Sequence, residues 1–168
     1  PILLEEFEEE EPGFLDTVGT LFNCKDWVRY NLTGEIATDY TEASQQFLNL
    51  SNPVEHDHAF AREMGLEKVV GALAELRSAD DLGGHVTAEA AMRTGLRQGT
   101  PVSVGMIDVA ITGPGLGAIH DGDSWLILGT TGFIGTLRRS LKDRHTSASM
   151  VQATGRGTQA VSYTHLRA

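Results

Sequence analysis

The sequence predicts an α/β protein, and two observations indicate this class. Over the first hundred residues, apolar side chains recur at helical spacing in short segments that end at glycine or proline. After Thr100 the chain turns to short, β-branched apolar runs, which are typical of buried strands. The length of 168 residues suggests one domain or pieces of two, and the 40% hydrophobic content can support a packed core.

Five helices are predicted before residue 100. Gly34 and Gly95 follow two of them and can adopt the left-handed conformation that closes a helix. Thr87 is placed to cap the last helix, and Asp39 and Glu42 have the spacing of a capping box. The predicted helices are Ile2–Glu10, Cys24–Leu32, Ala59–Met64, Val69–Leu76 and Ala88–Thr94.

Three strands are predicted after Thr100, at Pro101–Ile107, Ser124–Leu128 and Phe133–Leu137. The second and third flank Gly129-Thr130-Thr131-Gly132, whose small residues favour a tight reversal. Beyond Arg138 the sequence is polar and weakly periodic, and it predicts no further element.

Composition excludes several classes of function. The net charge of −10 argues against generic nucleic-acid binding, which needs a positive face. No apolar run approaches the roughly 18 residues of a membrane-spanning helix, and no secretory signal is visible at the start. The single cysteine, Cys24, excludes an intramolecular disulfide framework and fits a reducing compartment, so we expect a cytoplasmic protein.

Two features point to chemistry, and each has a plain alternative. Asp108 closes a predicted apolar strand, where a carboxylate is costly unless it is hydrogen-bonded or used; a cap on the following segment explains it equally well. The backbone N–H groups and threonine hydroxyls of Gly129–Gly132 can bind phosphate oxygens. An ordinary hairpin turn is the commoner reason for such residues.

Other candidates favour a structural interpretation. The P-loop pattern G-x-x-x-x-G-K-S/T is absent from the sequence. His56-Asp57-His58 is expected to be a hydrated surface turn rather than a metal site, because side chains at i and i+2 diverge on a helix. Trp27 is expected to lie in the core.

Three segments together resemble the FGGY family of carbohydrate kinases. They occur in the family's order and at its spacing, over roughly Ile2 to Leu137. The segments are Lys25–Ser44, Gly99-Thr100-Pro101-Val102 followed by Gly105, Asp108 and Gly117, and the hairpin Ile127–Gly132.

This resemblance implies a ribonuclease-H-like fold of the actin, Hsp70 and sugar-kinase superfamily, present only in part. Residues 1–118 would form the C-terminal half of the family's N-terminal domain. Residues 119–160 would open the C-terminal domain with a hairpin, and residues 161–168 would be a non-native tail. The two domains of such a kinase close over ATP and sugar.

The resemblance also implies a site. Asp108 takes the position of the general base, which accepts the proton of the attacking hydroxyl. Gly129, Thr130, Thr131 and Gly132 take the position of a loop at the ATP phosphates, with Mg²⁺ bridging them and no metal-ligating side chain assigned. The substrate is a sugar or polyol, and Asp108-Val109 is similar to the L-xylulose, ribulose and erythritol branches. A homodimer is expected of the full-length protein.

One departure from the family supports an alternative. The family's first phosphate loop, D-x-G-T-x-S, is absent from this sequence. The chain would then be a non-catalytic fragment of a kinase, or a binding module at most.

Overall fold

The computed structural model describes residues 2–49, 52, 54–129, 132–139, 149–153 and 159–163. These residues form six α-helices, eight strands and two short 3₁₀ helices, Phe14–Thr17 and Glu67–Ala72. The helices are α1 (Ile2–Glu10), α2 (Cys24–Thr33), α3 (Tyr40–Ala43), α4 (His58–Glu63), α5 (Ala88–Thr94) and α6 (Asp108–Gly115). The strands are β1 (Thr38–Asp39), β2 (Leu76–Arg77), β3 (Leu82–His85), β4 (Pro101–Ser103), β5 (Ser124–Leu128), β6 (Gly132–Arg138), β7 (Ser149–Ala153) and β8 (Gln159–Tyr163). The predicted α/β class is confirmed.

Helix ends follow the capping signals of the sequence. Gly34 and Gly95 have φ angles of 78° and 76° and close α2 and α5, as predicted. Thr87 caps α5 by accepting the N–H of Ala90 at 3.1 Å. Asp39 caps the single turn of α3. In the part of the chain that is described, no helix is long and apolar enough to cross a membrane.

Three sheets are formed. Strands β1 and β2 are parallel, and β3 and β4 are antiparallel. The third sheet has the order β5-β6-β8-β7 and is antiparallel throughout. Strands β7 and β8 lie in the polar region for which the sequence predicted no element, and β8 includes Val161–Tyr163 of the predicted tail.

Two predicted elements end earlier than the apolar pattern suggests. The strand from Pro101 stops at Ser103, because Gly105 has a φ of 78° and turns the chain out of extended geometry. The helix predicted over Val69–Leu76 is a 3₁₀ turn that ends at Ala72, and Leu76 instead pairs with Thr38 in β1 and β2.

Among the described residues, the two largest clusters of buried apolar side chains come from different parts of the chain. The first lies between α1, α4 and the 3₁₀ helices and consists of Leu15, Phe47, Ala61, Leu66 and Val69. The second surrounds Trp125 of β5, with Ala118, Phe133 and Leu137. Helix α6 packs against the second cluster, so it joins the helical part of the chain to the four-stranded sheet.

Glycines make room for the Trp125 indole. Gly135 is paired with Trp125 across β5 and β6, and a Cβ at Gly135 would overlap the indole ring. A Cβ at Gly113 in α6 would lie 2.9 Å from the same ring. The small residues therefore let α6 and β6 approach the buried tryptophan from two sides.

We expect Gly135→Ala to lower the free energy of unfolding of the full-length protein by about 1–3 kcal/mol, the usual effect of overpacking. The added methyl has to displace a buried indole that α6 also holds. The measurement is the midpoint of urea unfolding. Gly71→Ala is the matched control, because nothing lies within 4 Å of a Cβ there. Equal midpoints for the two variants would show that the Trp125 indole can shift to make room for the methyl group without loss of stability.

Candidate active site

Asp108 is the first residue of α6, and its side chain is exposed. Its Oδ1 accepts the N–H of Val109 at 2.7 Å, and a helix N-terminus favours a negative charge. The sequence placed this carboxylate at the end of a strand, where burial would be costly, and that premise is wrong. The carboxylate instead faces solvent at the start of a helix.

The predicted phosphate loop, Gly129–Gly132, lies between the paired strands β5 and β6. Leu128 and Gly132 form the last cross-strand pair before the turn. Gly129 follows β5 and is exposed, whereas Gly132 is half-buried as β6 begins. Thr130 and Thr131 lie outside the described residues.

Trp125 connects Asp108 to this hairpin. Its indole N–H donates to the carbonyl of Val109 at 3.1 Å, and Val109 is the neighbour of Asp108 in α6. The same residue is in β5, three positions before Leu128. One side chain therefore holds the start of α6 against the strand that leads to Gly129.

A buried polar cluster packs against the segment 104–107, which leads into Asp108. It consists of the partly exposed Lys25 and the buried residues Asp26, Arg29, Thr38, Asp39 and Thr41. Asp26 is 1% exposed, and its Oδ1 accepts from Lys25 Nζ at 2.7 Å and from Arg29 Nη1 at 2.9 Å. The hydroxyl of Thr38 donates to the other oxygen, Oδ2, at 2.7 Å.

The cluster contacts both ends of the segment 104–107. Arg29 Nη1 donates to the Val104 carbonyl at 3.2 Å, and Lys25 Nζ lies 3.4 Å from the same oxygen. Thr41 Oγ1 accepts the N–H of Ile107 at 3.0 Å. The backbone that presents Asp108 is therefore fixed by buried side chains of α2 and α3.

Helix α2 presents these groups because its buried face is polar. Asp26, Arg29 and Thr33 are its buried residues, spaced along one face. Trp27 points the other way and is 55% exposed, with its ring 5.8 Å from that of Tyr30 and 6.0 Å from that of Phe22. The expectation that Trp27 belongs to the core is wrong, because buried ion pairs occupy the inner face of the helix.

A match to a protein-family model identifies the family of this chain. The model described as the FGGY family of carbohydrate kinases, N-terminal domain, matches residues 2–115. The chain belongs to this family. The resemblance found in the sequence is confirmed, and with it the assignment to a family of phosphotransferases.

Relatives and solved structures agree with the FGGY assignment. An erythritol kinase of Brucella abortus is 41% identical over 106 residues, which cover 63% of this chain and 20% of that protein. A probable L-xylulose kinase of Pasteurella multocida is 28% identical over 144 residues, or 86% of this chain and 30% of that protein. A xylulose kinase structure from Rhodospirillum rubrum matches with a TM-score of 0.82 at 26% identity, over 95% of this chain and 32% of that one.

The match in three dimensions confirms the ribonuclease-H-like fold of the sugar-kinase superfamily. The chain spans only about a fifth to a third of the length of these FGGY relatives. The division near residue 118, the tail at 161–168 and the roles of Asp108 and of Gly129–Gly132 stay predictions.

Glu42, next to Thr41 in α3, is a second ionisable group close enough to Asp108 for the two carboxyls to interact. Its side chain is buried, and burial raises the pKa of its carboxyl above the ordinary value of 4.5. The Lys25 ammonium opposes this rise in pKa, whereas the carboxylates of Asp26, Asp39 and Asp108 add to it. A raised pKa means that the folded state binds the Glu42 proton more tightly than the unfolded state does.

We expect Glu42→Gln to raise the free energy of unfolding near neutral pH. In the wild type, the Glu42 carboxyl has to ionise in a buried site once the pH rises above 4.5. The free energy of unfolding of the wild type therefore falls between pH 4.5 and the raised pKa of Glu42 in the folded state. Below that window both proteins are neutral at this position and should be equally stable. Urea unfolding across acid and neutral pH measures the difference.

Glu8→Gln is a control for which the change in the free energy of unfolding is expected to have the opposite sign. The N–H groups of Leu15 and Gly13 lower the pKa of the Glu8 carboxyl, so its stabilisation is present above pH 4.5 and is lost as the pH falls. Its replacement should therefore destabilise the protein near neutral pH. A Glu42→Gln variant that loses stability there, as Glu8→Gln does, would contradict the assignment.

Proposed function

We propose that the full-length protein containing this chain transfers the terminal phosphoryl group of ATP to a hydroxyl of a sugar or polyol. The observation that supports this most directly is the exposed Asp108 at the start of α6, tied through Trp125 to the hairpin of Gly129. The match to the FGGY family supplies the reaction class.

In the proposed reaction Asp108 acts as the general base. Its carboxylate accepts the proton of the attacking hydroxyl while the oxygen of that hydroxyl bonds to the terminal phosphorus. The bond from that phosphorus to the bridging oxygen breaks, and ADP leaves. Because the transition state is loose, the main contribution of Asp108 is to orient the hydroxyl in line with the leaving group.

Gly129, Thr130, Thr131 and Gly132 are proposed to hold the ATP phosphates. Gly129 is exposed and has no side chain, so phosphate oxygens can approach its backbone N–H. Mg²⁺, when bound, would neutralise charge on the phosphates. No group of three or more His, Cys, Asp or Glu suited to a metal occurs among the described residues.

The proposed acceptor is a polyol or pentulose. The relatives named erythritol kinase and probable L-xylulose kinase support this class, as does Val109 after the proposed base. We further propose a cytoplasmic location, because the single cysteine is a free and exposed thiol. A homodimer of the full-length protein is likewise a proposal.

The test is ADP release by the full-length protein with Mg²⁺-ATP and a panel of acceptors: erythritol, L-xylulose, D-xylulose, ribulose and glycerol. Turnover with one polyol or pentulose well above the rate without acceptor is the expected result. ATP hydrolysis that no acceptor accelerates would overturn the proposed function.

A second candidate concerns the 168-residue chain by itself. Its sequence has no D-x-G-T-x-S loop, and it spans at most about a third of the relatives described above. We therefore propose that the isolated chain is a non-catalytic fragment or a binding module. The same assay on the isolated chain decides this, since acceptor-dependent turnover comparable to that of the full-length protein would refute it.

A further inference from the structure

Thr41 is a fully buried residue whose hydroxyl has two defined partners. Its Oγ1 donates to Asp39 Oδ2 at 2.5 Å and accepts the N–H of Ile107 at 3.0 Å. A carboxylate can only accept and an amide N–H can only donate, so the hydroxyl proton has a single arrangement that satisfies both partners. Thr41 therefore joins α3 to the residue directly before Asp108.

Asp39 is itself held firmly. Its Oδ2 also accepts the backbone N–H of Thr41 at 2.8 Å, which makes it the cap of α3. Its Oδ1 lies 3.2 Å from the Lys25 ammonium. Lys25 in turn contacts Asp26, so the carboxylate that orients the Thr41 hydroxyl is linked through its other oxygen to the buried polar cluster.

Ile107 is the N-cap residue, directly before α6. Its carbonyl accepts the N–H groups of Ala110 and Ile111, both at 3.0 Å, so it closes the first turn of the helix. Its own N–H is directed away from α6 to Thr41. The two sides of this one residue thus fix the direction in which α6, and Asp108 with it, leaves the preceding segment.

We propose that Thr41 is a positioning residue for Asp108: its hydroxyl sets the place of the carboxylate relative to the acceptor hydroxyl. The inference rests on the proposed function. Loss of the hydroxyl frees the Ile107 amide and lets the start of α6 shift, and a displacement of about 1 Å at a reacting group can reduce the rate about 10²-fold.

The test compares Thr41→Val with Thr41→Ser in the full-length protein. Valine preserves the shape but removes the hydroxyl, whereas serine keeps it. We expect Thr41→Val to lower kcat about 10–100-fold with little change in the KM for ATP, and Thr41→Ser to retain most of kcat. Amide hydrogen exchange at Ile107 should be faster in the valine variant and nearly normal in the serine variant.

Thr33→Val is the matched control. Thr33 is also buried, and its hydroxyl likewise donates to one group, the Arg29 carbonyl, and accepts from another, the N–H of Glu35. It lies in α2 and has no contact with the segment 104–107 among its hydrogen bonds within the described residues. An equal loss of kcat in both valine variants would show that Thr41 has only a structural role and would overturn the proposal.

The outcomes separate this inference from the proposed function. If the wild type shows no acceptor-dependent turnover, the proposed function fails. If the wild type is active and Asp108→Asn is not, but Thr41→Val keeps its kcat, only the positioning role is overturned. Normal exchange at Ile107 in Thr41→Val would overturn it as well.

Discussion

Asp108→Asn is expected to lower kcat for acceptor phosphorylation by about 10²–10⁴-fold, the usual range for a lost general base. Asparagine keeps the size of the side chain but cannot take up the proton of the attacking hydroxyl. Because Asp108 is exposed and its Oδ1 bonds only to the adjacent Val109 N–H among the described residues, the fold should tolerate the change. ATP affinity, measured by calorimetry, should stay close to that of the wild type.

Asp16→Asn is the control for this experiment. Asp16 is an exposed carboxylate, paired with Lys68 at 2.8 Å far along the chain from α6, and its loss should leave kcat unchanged. A variant at Asp108 that turns over as fast as the wild type would remove this residue from the reaction. If ATP binding were lost with turnover, the defect would lie in nucleotide binding and not in proton transfer.

The sequence predicted the helices best where a side chain and a glycine mark their ends. Helix α5 was predicted at its observed bounds because Thr87 and Gly95 satisfy the orphan backbone groups at its two termini. The strands on both sides of Gly129–Gly132 were also predicted, since short apolar runs are local signals, although β6 extends one residue further at each end than predicted.

Elements set by distant contacts were not predictable in this way. Helix α2 has its charged residues inside and Trp27 outside, because Asp26 and Arg29 satisfy each other's charges across one turn. An apolar pattern assumes the reverse. Strand β8 pairs with β6, and β7 pairs with β8, so both strands depend on partners that no local pattern reveals.

In the candidate site too, some features could be predicted from local sequence and others depend on distant contacts. The resemblance drew attention to Asp108 and to the whole of Lys25–Ser44, but gave no physical reason for the second. The geometry supplies one, since Thr41 and Arg29 bond to backbone groups of the segment 104–107. Contacts between residues 66 and 75 positions apart cannot be read from spacing alone.

The ion pair of Asp26 and Arg29 gives the largest expected effect on stability. Asp26 and Arg29 are 1% and 3% exposed, and Arg29 also donates to the carbonyls of Val104 and Ala37. Removing one partner of a buried pair leaves an uncompensated charge in a low-dielectric environment. We therefore expect Asp26→Ala to lower the free energy of unfolding by about 3–5 kcal/mol.

Urea unfolding of the full-length protein measures this loss, with Asp16→Ala as the matched control. Asp16 is 62% exposed, and a surface pair of this kind contributes about 0–1 kcal/mol. The double variant Asp26→Leu with Arg29→Met removes both charges and should recover much of the stability, because apolar side chains can replace a buried pair at little cost. An Asp26→Ala variant no less stable than Asp16→Ala would show that water or another carboxylate compensates Arg29. A double variant less stable than Asp26→Ala alone would instead assign the stabilisation to the bonds that Arg29 makes to the Val104 and Ala37 carbonyls.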